Sequence, residues 1–160
     1  MVFDRIDIRI LELIQENGDF NDAEVARCLD LPQTSVWRRI AALQKSGVIR
    51  KRVALLDPEQ VGLSATAYVF IRTSHHEPAW LKRFATALNA IPEIVEAHRL
   101  TGQTDYLLKI LVPNIRGYNE VYERLIKAVP LYDVSSSFSM DRIKETTSLP
   151  LKFAEDAATG

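Results

Sequence analysis

Between residues 33 and 53 the chain carries six basic side chains, Arg38, Arg39, Lys45, Arg50, Lys51 and Arg52, and not one acid. Cations concentrated in this way suit contact with a polyanion, whereas the usual fate of a charge run is a solvated face. The neighbouring residues favour the polyanion. Arg38 can donate two parallel bonds to guanine, and Thr34 and Ser35 can bond a base edge or a phosphate. Trp37 offers either a packing surface or an apolar contact to a thymine methyl or a sugar. Arg39 has two readings, a DNA contact or an ion pair with an acid of an earlier helix. Arg50-Lys51-Arg52 is a short extended row suited to neutralising flanking phosphates.

Catalytic chemistry is poorly provided for. The chain has no Ser/His/Asp or Cys/His constellation, no phosphate-cradling Gly-rich loop and no metal-ligand spacing, so neither an enzyme nor a cofactor is expected. His75, His76 and His98 do not form a metal site on this reading. Adjacent histidines on a strand point to opposite faces, and no carboxylate/His spacing accompanies them. The lone Cys28 cannot close an internal disulfide, which suits a reducing cytosol; beside Leu29 it reads as a small core residue.

Charge is unevenly divided. The whole chain of 160 residues has a formal net charge of −1, which by itself argues against a nucleic-acid partner. Residues 1–32 carry −5, residues 33–53 carry +6 and residues 54–160 carry −2, so a cationic stretch is concealed in a neutral total. With 47% hydrophobic and 26% charged residues the chain has the composition of a globular protein, in one ordinary domain or two small ones. No apolar run approaches the ~20 residues of a membrane span, and Met1-Val2-Phe3-Asp4-Arg5 lacks the basic start and apolar core of a leader, so a cytoplasmic protein without a membrane partner is expected.

The elements that must position these groups follow from periodicity. Ile6, Ile10, Leu13 and Ile14 form the stripe of a first helix, capped by Asp4 with Asp7 in a capping-box position and ended at Asn17-Gly18, where glycine accepts a left-handed conformation. Asn21 or Asp22 caps a second helix that buries Val25, Ala26 and Leu29. After an Asp30-Leu31 turn, Pro32 opens a third helix from about Gln33 to Ser46, with Val36, Ile40 and Leu43 inward and Gly47 ending it. Two helices joined by so short a turn read as a helix-turn-helix, with the N-terminal half of the third helix entering the major groove.

Val53 to Leu56 reads as a short strand, and Asp57 to Gln60 as linker. Beyond Leu63 the period becomes two: Ala65, Ala67, Val69 and Ile71 alternate with Thr66, Tyr68, Phe70 and Arg72. A helix from Pro78 carries Leu81, Phe84, Ala85 and Leu88. Strands at Ile94–Leu100 and Tyr106–Val112 flank the turn 101–104. A further helix carries Ile115, Tyr118, Tyr122, Leu125, Ile126 and Val129, and a last strand runs from Val134 to Met140. The order β-α-β-β-α-β is the ferredoxin-like arrangement, and Ile91-Pro92 before Val95 recurs weakly as Val129-Pro130 before Val134. The expected fold class is therefore α+β: a winged-helix-like helix-turn-helix domain (1–52), a strand and linker (53–62), a ferredoxin-like domain (63–151) and a tail (152–160). One sheet face, left without helices, should pair with a second copy.

Together the halves resemble the Lrp/AsnC (leucine-responsive/asparagine regulator, feast or famine) family of bacterial and archaeal transcription factors, over residues 4 to about 151. Six stretches carry the likeness: residues 4–11 (DRIDIRIL), Arg39-Ile40-Ala41-Ala42-Leu43, Gly47-Val48-Ile49, Leu56-Asp57-Pro58 with Gly62, residues 101–106 (TGQTDY) and residues 144–151 (KETTSLPL). Leu31-Pro32-Gln33 departs from the family in lacking a Ser cap on the recognition helix. The resemblance implies dimers that assemble into octamers and a small molecule, usually an amino acid, bound between dimers. The pocket it implies comprises Thr101, Gly102, Thr104 and Asp105, with Ser135, Ser136 and Ser137 from the last strand or a neighbouring subunit. A Gly-containing turn exposes N–H groups to a carboxylate, and Asp105 can accept bonds from an α-ammonium. The run 53–58 (VALLDP), His75-His76 and Trp37 resemble most a subgroup linked to cysteine detoxification, which makes cysteine the candidate effector.

The expected protein is thus a sequence-specific regulator on double-stranded DNA, with paired recognition helices fixing half-site spacing at about one helical turn or a multiple of it. An effector would alter DNA occupancy through its differential affinity for the assembly states. Two other classes compete: a ferredoxin-like binding module or small enzyme that does not bind DNA, and an architectural DNA-binding protein without effector.

Overall fold

Asp4 starts the chain's first helix, α1 (Arg5–Glu16), through a reciprocal capping box with Asp7: each side chain accepts from the other's backbone N–H, at 2.9 and 3.2 Å. The computed structural model describes residues 3–75, 77–152 and 154. Asn21, not Asp22, caps α2 (Asp22–Leu29), in a second capping box with Glu24. Helix α3 (Gln33–Lys45) follows the turn Asp30–Pro32 and has no side-chain cap; the Pro32 carbonyl accepts from Ser35 and Val36 N–H instead. Gly47, at φ +80°, turns the chain out of α3 and lets Ile49 N–H reach the Leu43 carbonyl at 3.1 Å. Ile10, Leu11, Val25, Ala26, Val36, Ile40 and Leu43 form the core of these three helices.

Four strands follow, β1 (Ala65–Arg72), β2 (Ile94–Arg99), β3 (Tyr106–Val112) and β4 (Asp133–Phe138), with α4 (Pro78–Asn89) and α5 (Ile115–Ala128) at the two crossovers. The sheet is antiparallel, in the order β2-β3-β1-β4, as the ferredoxin-like reading requires. Ala67, Val69 and Ile71 of β1 and Tyr106, Leu108, Ile110 and Val112 of β3 form the core with α4 and α5. The other face presents Thr66, Tyr68, Phe70, Leu107, Lys109 and Leu111, all half-buried.

The chain divides into two compact units, Met1–Leu55 with Lys144–Gly160, and Leu56–Ile143. Residues 144–151, expected in the second domain, therefore count with the first. Of the expected tail 152–160, only Lys152 and Ala154 are among the described residues.

Several expectations are corrected. Residues 53–56 form no strand; Val53, Leu55 and Leu56 are exposed, and among the described residues no segment completes a ladder with them. Gly18 is not left-handed, because α1 ends on an extended Asn17. Cys28 is exposed, since Val25, Ala26 and Leu29 set the inward arc of α2 and the helical period turns residue 28 away from it. In α4 the buried face is Trp80, Phe84 and Ala87, while Leu81 and Ala85 face outward. The cause is Trp80. Its ring stacks on Phe84 at 4.9 Å and meets Tyr106 at 5.9 Å, while Nε1 donates to the Pro130 carbonyl at 3.0 Å. That large apolar body with its one donor satisfied sets the rotation of the helix.

Candidate DNA-binding face and ligand cleft

Helices α2 and α3 are held by a three-residue turn. Asp30 adopts a left-handed conformation at φ 53°, and its N–H bonds the Ala26 and Arg27 carbonyls; Leu31 N–H adds a 3.0 Å bond to Ala26. With Val36, Ile40 and Leu43 buried, the helical period places Thr34, Trp37, Arg38 and Lys45 on the outer side of α3. Trp37 is 61% exposed, so its packing reading gives way to a surface one. Ser35 is half-buried at the edge of this side. Arg38, Arg50 and Lys51 are exposed, and their side chains make no hydrogen bond or ion pair among the described residues. Lys45 shares their exposure and was not singled out from sequence, although it stands on the same helical face eleven residues beyond Thr34.

Two of the expected DNA contacts are engaged within the protein. Arg39 Nη1 lies 2.7 Å from Asp4 Oδ2 and 2.7 Å from Asp7 Oδ1. These bonds, to Asp7 first and then Asp4, push the guanidinium pKa further up. The Asp4 carboxyl is held below its ordinary range by the Asp7 N–H and then by Arg39. Arg39 therefore joins α3 to the start of α1, which is the ion-pair reading of this residue. Arg52 Nη1 donates to the Phe20 carbonyl at 2.8 Å, which fixes the end of the basic row to the α1–α2 loop.

In the other unit, Gly102 (φ +117°), Gln103 and Asp105 face Arg72, Thr73, Ser74 and Tyr132 across an open cleft of about 330 Å³. The antiparallel pairing of β1 with β3 brings the end of β1 beside the start of β3, and Arg72 pairs in register with Asp133 of β4. Asp105 joins these edges. Its Oδ2 accepts from Thr73 N–H at 2.8 Å, its N–H donates to the Ile71 carbonyl at 2.9 Å, and its carbonyl accepts from Leu100 N–H at 2.8 Å. Arg72 extends over the Tyr132 ring, 6.0 Å from its centroid. Among the residues expected here, the cleft includes Gly102 and Asp105 but not Thr101 or Thr104. Arg72, Thr73, Ser74, Gln103 and Tyr132 were missed, although the strand order of the ferredoxin-like reading already implied that the end of β1 borders the start of β3.

The three serines separate by strand alternation. Ser135 and Ser137 pair with Phe70 and Tyr68 on the face without helices, whereas Ser136 pairs with Val69 on the helix side, where it is hydrogen-bonded to Tyr118 Oη. Ser136 is thus engaged with α5 through Tyr118 and is not among the residues lining the cleft. His75 Nδ1 is 3.6 Å from Glu77 Oε2, and His98 Nε2 is 3.4 Å from Glu96 Oε2. His76 lies outside the described residues. Among the described residues no group of three His, Cys, Asp or Glu side chains could hold a metal ion, and no helix is long and apolar enough to cross a membrane.

A helix-turn-helix with uncommitted cations, followed by a β-α-β-β-α-β unit with a polar cleft, defines a DNA-binding transcription regulator with a ligand-binding domain. Residues 3–50 match the winged helix-turn-helix DNA-binding family, and residues 66–149 match the Lrp/AsnC ligand binding domain. The chain belongs to the Lrp/AsnC family. It is 41% identical over 152 residues to the DNA-binding transcriptional activator DecR of Escherichia coli K12, covering 94% of this chain and 100% of that protein. A crystal structure of an AsnC family transcriptional regulator from Agrobacterium tumefaciens is 45% identical, with a TM-score of 0.90 over 94% of this chain and 99% of that one. A transcriptional regulator of Neisseria meningitidis in complex with L-methionine is 33% identical, with a TM-score of 0.89 over 95% and 99% of the two chains. The protein is a transcription regulator and not an enzyme.

Proposed function

We propose that Thr34, Trp37 and Arg38 read base edges in the major groove of double-stranded DNA, and that Arg50, Lys51 and Lys45, with Ser35 and Arg52 at the margin, contact phosphates. The observation that carries this reading is the exposed, uncommitted Arg38 on the side of α3 opposite Val36, Ile40 and Leu43. The absence of a side-chain cap on α3 leaves its first amides open to a phosphate as well.

The effector is an α-amino acid held by the cleft. Asp105 accepts from the ammonium, while Arg72, Ser74 and the Gly102-Gln103 backbone receive the carboxylate. Binding of L-methionine by the Neisseria regulator supports this ligand class, and the resemblance of residues 53–58, His75-His76 and Trp37 to the cysteine-detoxification subgroup makes cysteine the candidate. Tyr68, Phe70, Leu107 and Leu111, with Ser135 and Ser137, form the face on which a second copy seats, and the dimers assemble further into octamers. A chromosome-reading regulator of this kind works in the cytoplasm.

Light scattering of the full chain with each amino acid in turn tests assembly and effector together. The reading requires that cysteine or another α-amino acid shift the oligomer, and an unchanged mass with every one of them removes the effector from it.

A further inference from the structure

Gln15, near the end of α1, and Leu149 are joined by a reciprocal pair of hydrogen bonds. Leu149 N–H donates to Gln15 Oε1 at 2.7 Å, and Gln15 Nε2 donates to the Leu149 carbonyl at 3.3 Å. One side-chain amide thereby satisfies both backbone groups of a residue outside any strand, as a neighbouring strand edge would. Ser148 Oγ adds a longer bond of 3.5 Å to the Gln15 carbonyl, and Leu151 packs against the three-helix core. Leu149 also lines an apolar groove of about 410 Å³ with Leu11, Ile14, Val53 and Leu55.

This segment follows β4 in sequence. Ser139 N–H is anchored to the Thr66 carbonyl at 2.9 Å, and between Ser139 and Ser148 residues 140–147 form neither helix nor strand. Nine peptide steps reach at most roughly 30 Å. The chain therefore passes between its units twice, once near Leu55–Leu56 and once near Ile143–Lys144. A unit held by one linker can swivel about it; a second attachment removes much of that freedom.

We propose that residues 148–151, clasped by Gln15, are a second tether that limits how far each recognition helix can swing relative to its own regulatory domain, and that Gln15 is thereby a positioning residue for half-site spacing. This rests on the DNA-reading dimer proposed above. In such a dimer the regulatory domains fix the separation of the two helix-turn-helix units only as strictly as each unit is tied to its own domain.

The test uses the full chain and duplexes enriched from a random pool by the wild-type protein. Gln15→Leu removes both amide bonds at nearly constant volume. The expected variant is folded and binds the selected duplex within about threefold of wild type, but it loses at least about fivefold of the affinity penalty for a half-site spacer altered by half a turn. Its Leu149 amide exchanges at least about tenfold faster. A simple loss of stability would not move the spacing penalty while sparing affinity for the selected duplex. Gln15→Glu, which keeps the acceptor for Leu149 N–H, should fall between the two. An unchanged spacing penalty alongside a deprotected Leu149 amide would overturn the proposal. So would a wild-type Leu149 amide that exchanges like that of a free peptide.

Should wild type select no duplex, the DNA reading fails, and the tether is judged separately by spin labels on the native Cys28 and an Asn119→Cys site, diluted in unlabelled chain. A distance distribution that broadens in Gln15→Leu supports the tether; identical distributions overturn it. If Gln15→Leu does not fold, Leu149→Pro deletes the donor N–H from the other side of the clasp and carries the same measurements.

Discussion

Arg39 of the recognition helix donates to Asp7 of α1 at 2.7 Å, with the same nitrogen 2.7 Å from Asp4. Its neighbour in sequence, Arg38, points outward from the same helix and pairs with nothing among the described residues. Two adjacent arginines thus have opposite duties, set by the 100° that separates successive residues on a helix. Arg39 joins α3 to α1, and Arg38 is the residue to which the proposed reading gives the DNA contact.

The pair predicts a double dissociation. Arg38→Ala should retain the wild-type unfolding midpoint and lose roughly ten- to a hundredfold in affinity for the selected duplex, the worth of one bidentate base contact. Arg39→Ala should destabilise the helix-turn-helix by about 1–2 kcal/mol, between the values for exposed and buried ion pairs, because its side chain is only 25% exposed. Below its own melting transition it should bind DNA nearly normally. Chemical denaturation and a binding isotherm on each variant decide the matter; wild-type affinity in Arg38→Ala would displace the base-reading role.

The same cluster sets a pH dependence. The folded-state pKa of Asp4 lies below its unfolded value, because the Asp7 N–H and Arg39 favour the carboxylate. Its contribution to stability is therefore complete above the unfolded carboxylate pKa of about 4 and is lost as pH falls through the lower folded value. Asn is as good an N-cap as Asp but does not titrate. The difference in urea midpoint between wild type and Asp4→Asn should accordingly be largest near neutrality and shrink below about pH 4. A gap that widens on acidification would contradict the assignment.

The helical core was legible because each inward stripe follows the 3.6-residue period, and capping at Asp4 and Asn21 was legible because those side chains act on their own next turn. The outward face of α3 followed by subtraction. Trp80 was not legible: the rotation of α4 depends on a ring stacking with Tyr106 and on the Pro130 carbonyl, both distant in sequence. Residues 53–56 mimic a strand in composition, but a strand needs a partner that composition cannot supply. The cleft was half legible. The turn at 101–106 announces Gly102 and Asp105, while Arg72 and Tyr132 arrive through cross-strand neighbours. Ser135, Ser136 and Ser137 look alike in sequence and are separated only by the pleat.

Asp105 has a structural role in the cleft and, in the proposed reading, a ligand role, and the two are separable. Asp105→Asn keeps an oxygen to accept from Thr73 N–H, now 2.8 Å away, but removes the charge that would face an α-ammonium. The fold should survive, while calorimetric affinity for the responding amino acid should fall about ten- to a hundredfold, as expected on losing a charge-assisted bond. Arg72→Ala should weaken the same ligand through its carboxylate. Ser136→Ala, by contrast, should leave ligand affinity unchanged and cost about 1 kcal/mol of stability through the lost bond to Tyr118. Equal ligand losses in all three variants would indicate a cleft that collapses as a whole.

Salt dependence tests which cations meet phosphate. The chain's net charge of −1 provides no general attraction to DNA, so non-specific affinity should be modest and should come from the few uncommitted cations of residues 33–53. Each phosphate contact contributes about 0.9 to the slope of log affinity against log salt concentration. Lys51→Ala should therefore reduce that slope by about 1 per protomer, and by about 2 in a dimer that seats both units. Arg39→Ala should leave it unchanged, since its guanidinium is already held by Asp4 and Asp7. Arg52→Ala belongs between these limits, because one of its nitrogens already bonds the Phe20 carbonyl. A slope that falls equally in all three variants would mean that the basic segment acts as a diffuse charge, and the division of labour read from these side chains would be wrong.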